Sequence, residues 1–273
     1  MADSSLPARP VSDRTLDAEI ALRALREQFP DRTFERVRPL PAGWASDPYV
    51  ADDRFVAHFP RNAEMAEWLD EDQVVLGFVR AHLGSQMVVP EVLGCAGPGG
   101  HFPHGFLLVG FIPGVPLDDP AAHGSERLPE DLGAALTRIH AVPAAAAAEV
   151  GITQPDWDDY EGELFFLHGD FGPPNIIVDV STGRLAGVID WGNAALGDRA
   201  RDFLRLVLEL GWDFTHRVLD AYGLPVDEEF LRRLRRYSRV EAAQWLLDSV
   251  IRGLDTERNL RWVRNAFSVG GAF

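Results

Sequence analysis

Two acids and one amide lie close together in this sequence, in a pattern that favours phosphoryl-transfer chemistry. Asp170 and Asn175 are five positions apart, on a segment whose Gly-Pro-Pro run (172–174) disfavours regular helix. Asp190 follows a second apolar run, residues 185–189. This set supplies one free carboxylate and two oxygen ligands, about what a hard divalent cation needs from a protein when water and phosphates complete its coordination. Phosphoryl transfer requires little more than positioning and charge neutralisation.

The composition is that of an ordinary globular protein. The chain has 273 residues, of which 46% are hydrophobic and 25% charged, enough for a large core. No apolar run approaches the roughly 20 residues that a membrane span requires. Residues 1–10 lack the apolar segment of a secretory signal, and the single Cys95 excludes an internal disulfide framework. We therefore expect a cytoplasmic protein that does not contact a membrane.

The charge balance is strongly acidic. The formal net charge is -16, and all 26 basic residues are arginine. A nucleic-acid partner is disfavoured because there is no basic excess to meet a phosphate backbone. A cationic small-molecule substrate is favoured, since acid-lined surfaces raise its local concentration. Solubility alone is the alternative explanation of this charge.

The first 112 residues alternate strand-like and helical patterns. A helix is expected over 16–29 and a second over 63–82, capped by Asn62. Strands are expected at 34–40, 49–59, 88–92 and 106–112, with a turn-rich connection over 41–48. Residues 1–12 are expected to form a tail. These elements predict a small β-rich lobe.

The pattern changes at Pro113, where a Pro- and Gly-rich break occurs. Helices are expected from Leu128 to His140 and at 202–212, 215–222, 228–237 and 240–254. The strands that carry Asp170, Asn175 and Asp190 lie between them. We therefore predict an α+β fold with an N-terminal lobe over residues 1–112 and a larger, mainly helical C-terminal lobe over 113–273.

The sequence resembles the aminoglycoside phosphotransferase family of kinase-like small-molecule phosphotransferases. The resemblance covers roughly residues 35–240. It is carried by His168-x-Asp170 with Asn175, by Gly187-Val188-Ile189-Asp190-Trp191-Gly192, and by Gly197-Asp198-Arg199-x-x-Asp202-Phe203. Two further segments, Phe111-Ile112-Pro113-Gly114-x-Pro116-Leu117 and Leu132-Gly133-x-x-Leu136-x-x-Ile139-His140, look like the family's interlobe segment and the helix before its catalytic loop.

The resemblance implies a two-lobed, protein-kinase-like fold with ATP or GTP in the cleft. It implies that Asp170 accepts or orients the substrate hydroxyl proton, and that Asn175 and Asp190 ligate Mg²⁺ on the nucleotide phosphates. His168 is expected to brace the loop. Leu108 and Phe111 are expected to contact the nucleotide.

One position departs from the family pattern. The family places a lysine in the third strand, where it grips the nucleotide phosphates and pairs with a helix acid, and His58 aligns there. A histidine side chain with an unperturbed pKa is mostly neutral at pH 7. Asp72 or Glu71 would be the helix acid, and a neighbouring carboxylate favours a protonated imidazole. Three alternatives stay open: His58 serves, Arg54 or Arg61 substitutes, or the phosphate grip is weak.

Acidic residues before the catalytic loop are candidates for binding a cationic substrate. They are Asp156, Asp158, Asp159 and Glu161. The alternative is a solvated polar connection. Asp198 and Asp202 are expected to hold the metal-binding strand through its backbone amides, and a direct substrate contact by Asp198 is a second hypothesis.

Three functions are consistent with the sequence. The first is an ATP- or GTP-dependent O-phosphotransferase that modifies a hydroxyl of a cationic, aminoglycoside-type antibiotic. The second is a kinase of the same fold for an amino alcohol, an amino sugar or a macrolide. The third is a kinase-like nucleotide-binding protein with weak or no catalysis, which the missing lysine favours and the retained Asp170, Asn175 and Asp190 disfavour.

Replacing His58 by lysine tests the departure in the third strand. We expect His58→Lys to preserve or raise nucleotide affinity, because a permanent cation then stands where the family has one. The measurement is the nucleotide dissociation constant in the presence of Mg²⁺, by calorimetry. A large loss of affinity would show that the imidazole has a different task.

Overall fold

The computed structural model describes residues 9–122 and 126–268, which divide into two compact units. The N-terminal unit comprises described residues 9–84 and 89–113, and the C-terminal unit comprises 85–88 and those from 114 onward. The short segment 85–88 joins the C-terminal unit because the Val188 N–H donates to the Val88 carbonyl at 3.1 Å. The sequence did not indicate that this segment belongs with the C-terminal unit. Residues 1–8 of the expected tail lie outside the described residues.

The N-terminal unit is an antiparallel sheet with three helices. The helices are α1 (Ala18–Gln28), α2 (Ala63–Glu67) and α3 (Leu69–Leu83). The strands are β1 (Val37–Pro39), β2 (Ser46–Ala51), β3 (Phe55–Pro60), β4 (Val92–Ala96) and β5 (Phe106–Gly110), in the order β1-β2-β3-β5-β4. β3 therefore has hydrogen-bonded neighbours on both edges.

The single strand expected over 49–59 is wrong, because a tight hairpin lies there. β2 and β3 pair from Ala51↔Phe55 to Ser46↔Pro60. Asp52 and Asp53 form the turn, each with φ of 52° in the left-handed region. Aspartate tolerates this region when its carboxylate bonds nearby backbone, and the Asp52 carboxylate accepts from the Glu35 and Arg36 N–H groups. No Gly or Pro marked this turn in the sequence.

The two faces of β3 have different surroundings. Phe55, Ala57 and Phe59 point into the main core of this unit, together with α1 residues such as Leu25. Because alternate residues of a strand face opposite sides, the partly buried His58 lies on the other face. The predicted cap at Asn62 is confirmed, since its side chain accepts from the Met65 N–H at 2.9 Å. The expected helix is divided at Trp68.

The C-terminal unit is mainly helical, with two small antiparallel sheets. Its helices are α4 (Leu128–His140), α5 (Ala144–Glu149), α6 (Leu204–Asp220), α7 (Glu228–Arg252) and α8 (Glu257–Phe267). One sheet has the order β6-β8-β9, formed by Val115–Pro116, Ile176–Asp179 and Arg184–Val188. The other pairs β7 (Phe165–Leu167) with β10 (Ala195–Gly197). Within the parts of the chain that the structure describes, no helix is both long and apolar enough to cross a membrane.

The helix boundaries differ from the sequence prediction. The helices expected at 202–212 and 215–222 form one element, α6, which is kinked at Gly211 (φ 83°, ψ 173°). Those expected at 228–237 and 240–254 form the continuous α7, in which the Ser238 hydroxyl donates to the Leu234 carbonyl at 2.7 Å. α8 was not predicted, although its buried Trp262 and Ala266 are spaced at i and i+4.

Two helical glycines provide a matched test of this packing. A Cβ on Gly133 of α4 would lie 2.5 Å from the Val218 carbonyl oxygen and 2.8 Å from the Ala221 carbonyl carbon, both backbone atoms of the α6 end. A Cβ on Gly77 of α3 would meet nothing within 4 Å. We expect Gly133→Ala to lower the free energy of unfolding by about 1–3 kcal/mol. Gly77→Ala should raise it by about 0.5–1 kcal/mol.

Chemical denaturation of both variants and the wild type measures these changes. Equal stabilities for the two variants would contradict the close α4–α6 approach.

Candidate active site

The β8–β9 hairpin brings Asn175 and Asp190 to one end of a small sheet. Ile176 pairs with Val188 in register, and the Ile189 N–H donates to the Asn175 carbonyl at 2.9 Å. Asn175 closes a 3₁₀ turn that begins at Pro173, immediately before β8. Asp190 follows β9 and has a left-handed φ of 63°. Both side chains therefore leave the hairpin at the same end, although 15 positions separate them in the chain.

The Asp170 carboxylate is held on both of its oxygens. The Asn175 Nδ2 donates to Asp170 Oδ2 at 3.0 Å and to the Asp170 carbonyl at 2.9 Å. The Arg205 Nη1 donates to Oδ1 in a short charge-assisted bond. The Asp170 side chain keeps 30% of its surface exposed. It is thus fixed in direction and still accessible.

Burial and the neighbouring charges shift the pKa of the Asp170 carboxyl in opposite directions. Burial raises the pKa of the Asp170 carboxyl most strongly, and the nearby Asp190 charge raises it further. The Arg205 guanidinium and His168 lower the pKa, and the net direction is upward. A carboxylate in this setting has more affinity for a proton than an exposed one.

His168 ties the expected catalytic loop, residues 168–172, to the hairpin. Its Nδ1 accepts from the Asp170 N–H at 3.2 Å, and its Nε2 donates to the Ile189 carbonyl at 3.0 Å. These two bonds are both made by the tautomer that carries its hydrogen on Nε2. The ring also packs on Trp191, with centroids 4.5 Å apart. In this geometry His168 positions the loop, with both ring nitrogens occupied.

The Asp202 carboxylate holds the same loop by accepting hydrogen bonds from its backbone. Its carboxylate accepts from the His168 and Gly169 N–H groups, each at 2.9 Å, and from the His140 Nε2 at 3.1 Å. Burial by itself raises the pKa of Asp202, but the bond from His140 and its neighbours outweigh burial and lower the pKa. The expectation that Asp202 holds the metal-binding strand is therefore wrong, because its partners are amides of the catalytic loop.

A buried chain of hydrogen bonds extends this anchor. The Tyr222 hydroxyl donates to the His140 Nδ1 at 2.6 Å and accepts from the Arg199 Nη1 at 3.2 Å. Burial raises the pKa of Tyr222 to about 12, so the hydroxyl keeps its proton. His140 then donates to Asp202 from Nε2 and accepts at Nδ1, and every member of the chain is satisfied.

Gly169 is required for the loop to pass beside its neighbour. Its φ is 81°, and a Cβ there would lie 1.9 Å from the Asn193 carbonyl oxygen. No other residue type avoids both the strain and the clash. The loop of Asp170 and the loop after Asp190 are consequently packed backbone to backbone.

Asn175 and Asp190 have the donor atoms that a hard cation requires. Because both partners of the Asn175 amide nitrogen are oxygens of Asp170, its Oδ1 is left as the free acceptor. The Asp190 carboxylate is exposed and makes no hydrogen bond or ion pair to any described residue. Within the described residues, no group of three or more His, Cys, Asp or Glu could hold a metal. A cation here would thus take two protein oxygens, with water and phosphate completing its coordination.

The nucleotide-binding candidates of the N-terminal unit occupy different environments. His58 lies on β3 and is partly buried, and Asp72 lies in the first turn of α3. Phe111 follows β5, and its N–H donates to the Arg54 carbonyl at 2.9 Å. Leu108 is completely buried in the hydrophobic core. Leu108 therefore has no surface for a ligand, and its expected nucleotide contact does not follow from the structure.

The two arginines offered as replacements for the lysine are engaged elsewhere. The Arg61 guanidinium pairs with Asp47 at 2.7 Å. The Arg54 guanidinium lies over the Phe55 ring, 5.1 Å from its centroid. Arg54 was expected on the face of His58 from strand alternation, but it lies in the turn before β3, where alternation does not apply. The ion pair with Asp47 disfavours Arg61 as the replacement.

The acidic candidates fall into two groups. Asp158 and Asp198 are buried, each with 1% of the side chain exposed, and pair with Arg201 at 2.8 Å and Arg233 at 2.6 Å respectively. Asp198 also accepts from the Tyr237 hydroxyl and from the Ala200 N–H, so the expectation that it holds the metal-binding strand is wrong as well. A substrate contact by these two carboxylates is thus disfavoured, because their oxygens are inaccessible. The exposed candidates are Asp156, Asp159 and Glu161.

Arg205 is the site residue that sequence reasoning missed. Arg205 and Glu209 form an i,i+4 ion pair on α6, and Arg205 reaches Asp170 across 35 positions of sequence. The i,i+4 spacing shortly after Asp202 was the available signal. That spacing indicated an ion pair between Arg205 and Glu209 on one helix, but it gave no sign that Asp170 is the third partner.

Several known sequences are similar to this chain. A sequence model of the phosphotransferase enzyme family matches residues 36–162 and 151–242, more than half of the chain. An aminoglycoside 3'-phosphotransferase of Streptomyces fradiae is 36% identical over 93 residues, which are 31% of this chain and 33% of that protein. This chain spans about a third or less of the length of the curated relatives that it matches.

Solved structures show the same fold. The GDP complex of an aminoglycoside 2'-phosphotransferase-IIIa aligns with a TM-score of 0.74 at 17% identity, over 92% of this chain and 98% of that chain. A macrolide 2'-phosphotransferase from Brachybacterium faecium aligns with a TM-score of 0.65 at 18% identity, over 92% and 100%. The expected α+β, kinase-like fold is therefore confirmed.

The anchor under the catalytic loop can be tested by replacing Asp202 with asparagine. An amide has one acceptor oxygen, so at least one of the three buried donors loses its partner and faces an NH₂ group. We expect Asp202→Asn to lower the free energy of unfolding by about 3 kcal/mol. The control is Asp179→Asn, at an exposed turn where the asparagine oxygen still accepts from the Ser181 N–H and hydroxyl and only the bond from the Thr182 hydroxyl is altered.

The contribution of the Asp202 carboxylate to stability depends on pH in a defined direction. The pKa of Asp202 is lowered on folding, so its carboxylate stabilises the fold above the ordinary pKa and this stabilisation is lost as pH falls through the folded-state value. Urea unfolding of the wild type and of both variants from neutral to acidic pH measures the effect. A loss in Asp179→Asn equal to that in Asp202→Asn would contradict the anchoring role.

Proposed function

Because this chain belongs to the phosphotransferase enzyme family, we propose that it transfers the γ-phosphoryl group of ATP or GTP to a hydroxyl of a small molecule. The observation that carries the proposal is the fixed, accessible Asp170 carboxylate beside Asn175 and Asp190. Asp170 lies on the loop, and Asn175 and Asp190 lie at the adjoining end of the β8–β9 hairpin. That arrangement supplies the positioning and the oxygen ligands on which phosphoryl transfer depends.

Asp170 acts on the acceptor hydroxyl. Each of its carboxylate oxygens receives one bond from the protein, from Asn175 or Arg205, and keeps a further lone pair. The substrate O–H donates to one of these lone pairs, which directs the hydroxyl oxygen at the γ-phosphorus. A new P–O bond forms, the bond to the leaving nucleoside diphosphate breaks, and the hydroxyl proton passes to Asp170 and then to solvent.

Asn175 and Asp190 are the residues that would hold Mg²⁺. Asn175 would use Oδ1, since its amide nitrogen is engaged by Asp170, and Asp190 would use its exposed carboxylate. When bound, the cation neutralises charge on the nucleotide phosphates. The Asn175 bond to Asp170 couples the cation ligand to the residue that positions the hydroxyl.

The proposed acceptor is a cationic, aminoglycoside-type molecule. The net charge of -16 and the exposed Asp156, Asp159 and Glu161 support a cation. The Streptomyces relative is named for aminoglycosides, and the structural likeness extends to a macrolide enzyme. A macrolide, an amino alcohol or an amino sugar is the alternative acceptor. The solved GDP complex supports GTP, and ATP is the alternative donor.

A kinase-like nucleotide-binding protein with weak or no turnover is a second candidate. His58 favours it, because an imidazole stands where the family has a permanent cation. The retained Asp170, Asn175 and Asp190 favour catalysis.

Nucleotide consumption with a panel of acceptors distinguishes these candidates. The panel contains kanamycin, erythromycin, choline and glucosamine, each with ATP and with GTP in Mg²⁺ buffer. We expect kanamycin to stimulate turnover and to gain one phosphate by mass spectrometry. Asp170→Asn should lower kcat by at least about 100-fold, because a positioned proton acceptor is lost.

Asp179→Asn is the matched control, since Asp179 stands at the far end of β8 and its carboxylate is spent on its own turn. Stimulation by another acceptor alone would replace the aminoglycoside assignment. If no acceptor is phosphorylated but Mg²⁺-nucleotide raises the thermal unfolding temperature, the second candidate is the correct one.

A further inference from the structure

We propose that Arg205 is a positioning residue for Asp170, held in place by Glu209 and by the C-terminal helix α8. This inference rests on the proposed phosphotransferase function. Arg205 donates to Asp170 Oδ1 through Nη1, while Nε and Nη2 both donate to Glu209 Oε1. One guanidinium thus spans two carboxylates, and its fork geometry fixes where the Asp170 oxygen lies.

The far side of this arrangement is built by α8. The Arg258 Nη2 donates to the same Glu209 Oε1 at 3.1 Å. The Trp262 ring lies beneath both cations, with its centroid 4.6 Å from the Arg258 Cζ and 5.8 Å from the Arg205 Cζ. Trp262 is buried in a core shared with Leu208 and Ala242, so the support is attached to α6 and α7. The charges alternate from Asp170 through Arg205 and Glu209 to Arg258.

The catalytic loop leaves room for Arg205 at one glycine. A Cβ on Gly172 would lie 2.9 Å from the Arg205 Cβ and 3.2 Å from both its Cζ and Nε. Gly172 itself has extended backbone (φ -143°, ψ 168°), which any residue adopts. The glycine is therefore explained by the passage of the arginine side chain and not by backbone conformation.

Asn175 alone would leave the Asp170 carboxylate incompletely fixed. It contacts Oδ2 only, and the other charged neighbour of Asp170, Asp190, is a like charge that pushes the carboxylate away. His168 reaches the Asp170 backbone and not its side-chain oxygens. Arg205, with 21% of its side chain exposed, is the group that balances Asp190 and fixes Oδ1. Small displacements of a reacting group cost large factors in rate.

The first test compares Arg205→Gln with Arg205→Lys in steady-state phosphorylation of kanamycin, or of whichever panel acceptor the wild type uses. We expect Arg205→Gln to lower kcat by about 100-fold with KM for nucleotide unchanged within about threefold. Arg205→Lys keeps the charge and loses the fork, so it should recover part of that loss. Arg217 lies on the same helix, and its hydrogen bond within the described part of the chain goes to the Glu126 carbonyl. Arg217→Gln is therefore the matched control, and its kcat should be unchanged.

The second test perturbs Arg205 without changing any charge. Gly172→Ala should lower kcat by displacing the arginine side chain. In an Arg205→Ala background the same change should cost less, because the two contacts at 3.2 Å with Cζ and Nε are gone and only the contact with Cβ remains. A merely structural role predicts equal factors in both backgrounds. Thermal unfolding of all variants checks that they fold.

The outcomes separate the two proposals. An unchanged or increased kcat in Arg205→Gln, with a turning-over wild type, overturns the positioning role and leaves the phosphotransferase function intact. Additive effects of Gly172→Ala and Arg205→Ala on kcat overturn it as well. Absence of turnover in the wild type with every acceptor overturns the proposed function and the positioning role with it. Stability coupling between Asp170→Asn and Arg205→Gln would then identify a purely structural ion pair.

Discussion

The buried Asp202 carboxylate satisfies the backbone of the catalytic loop, and the rest of the site depends on it. Where the chain leaves β7 its amides have no strand partner, and Asp202 accepts two of them. An isolated buried carboxylate would be very costly, but His140 supplies a third donor and Tyr222 orients that histidine. The loop is thereby held by a network that contains no unsatisfied member.

Above that anchor, each side chain at the site restricts another. Asn175 gives its amide nitrogen to Asp170 and so turns its oxygen outward. Arg205 holds the second Asp170 oxygen and offsets the like charge of Asp190. The result is a carboxylate whose direction is set from two sides while its surface stays open. This is the condition under which a hydroxyl can be oriented without reorganisation of the protein.

Much of the site was readable from the sequence, and the failures have identifiable causes. The spacing of Asp170 and Asn175, the later Asp190 and the cap at Asn62 all depend on neighbours within a few positions. The β2–β3 turn was missed because Asp52 and Asp53 carry no Gly or Pro signal, and their left-handed conformation is stabilised by the distant Glu35 and Arg36 amides. The role of Asp202 was misassigned because its partners lie 33 and 34 positions away.

The sequence by itself determined the fold class, the family and the three oxygen-bearing residues, because residue type and local spacing specify a loop and a hairpin. Only the tertiary structure decided which acids are available. Asp158 looks like Asp156 and Asp159 in the sequence, yet it is buried in an ion pair with Arg201. Only the fold also showed that Arg205 meets Asp170. Ion pairing and burial depend on groups that are distant in the chain, so no local pattern encodes them.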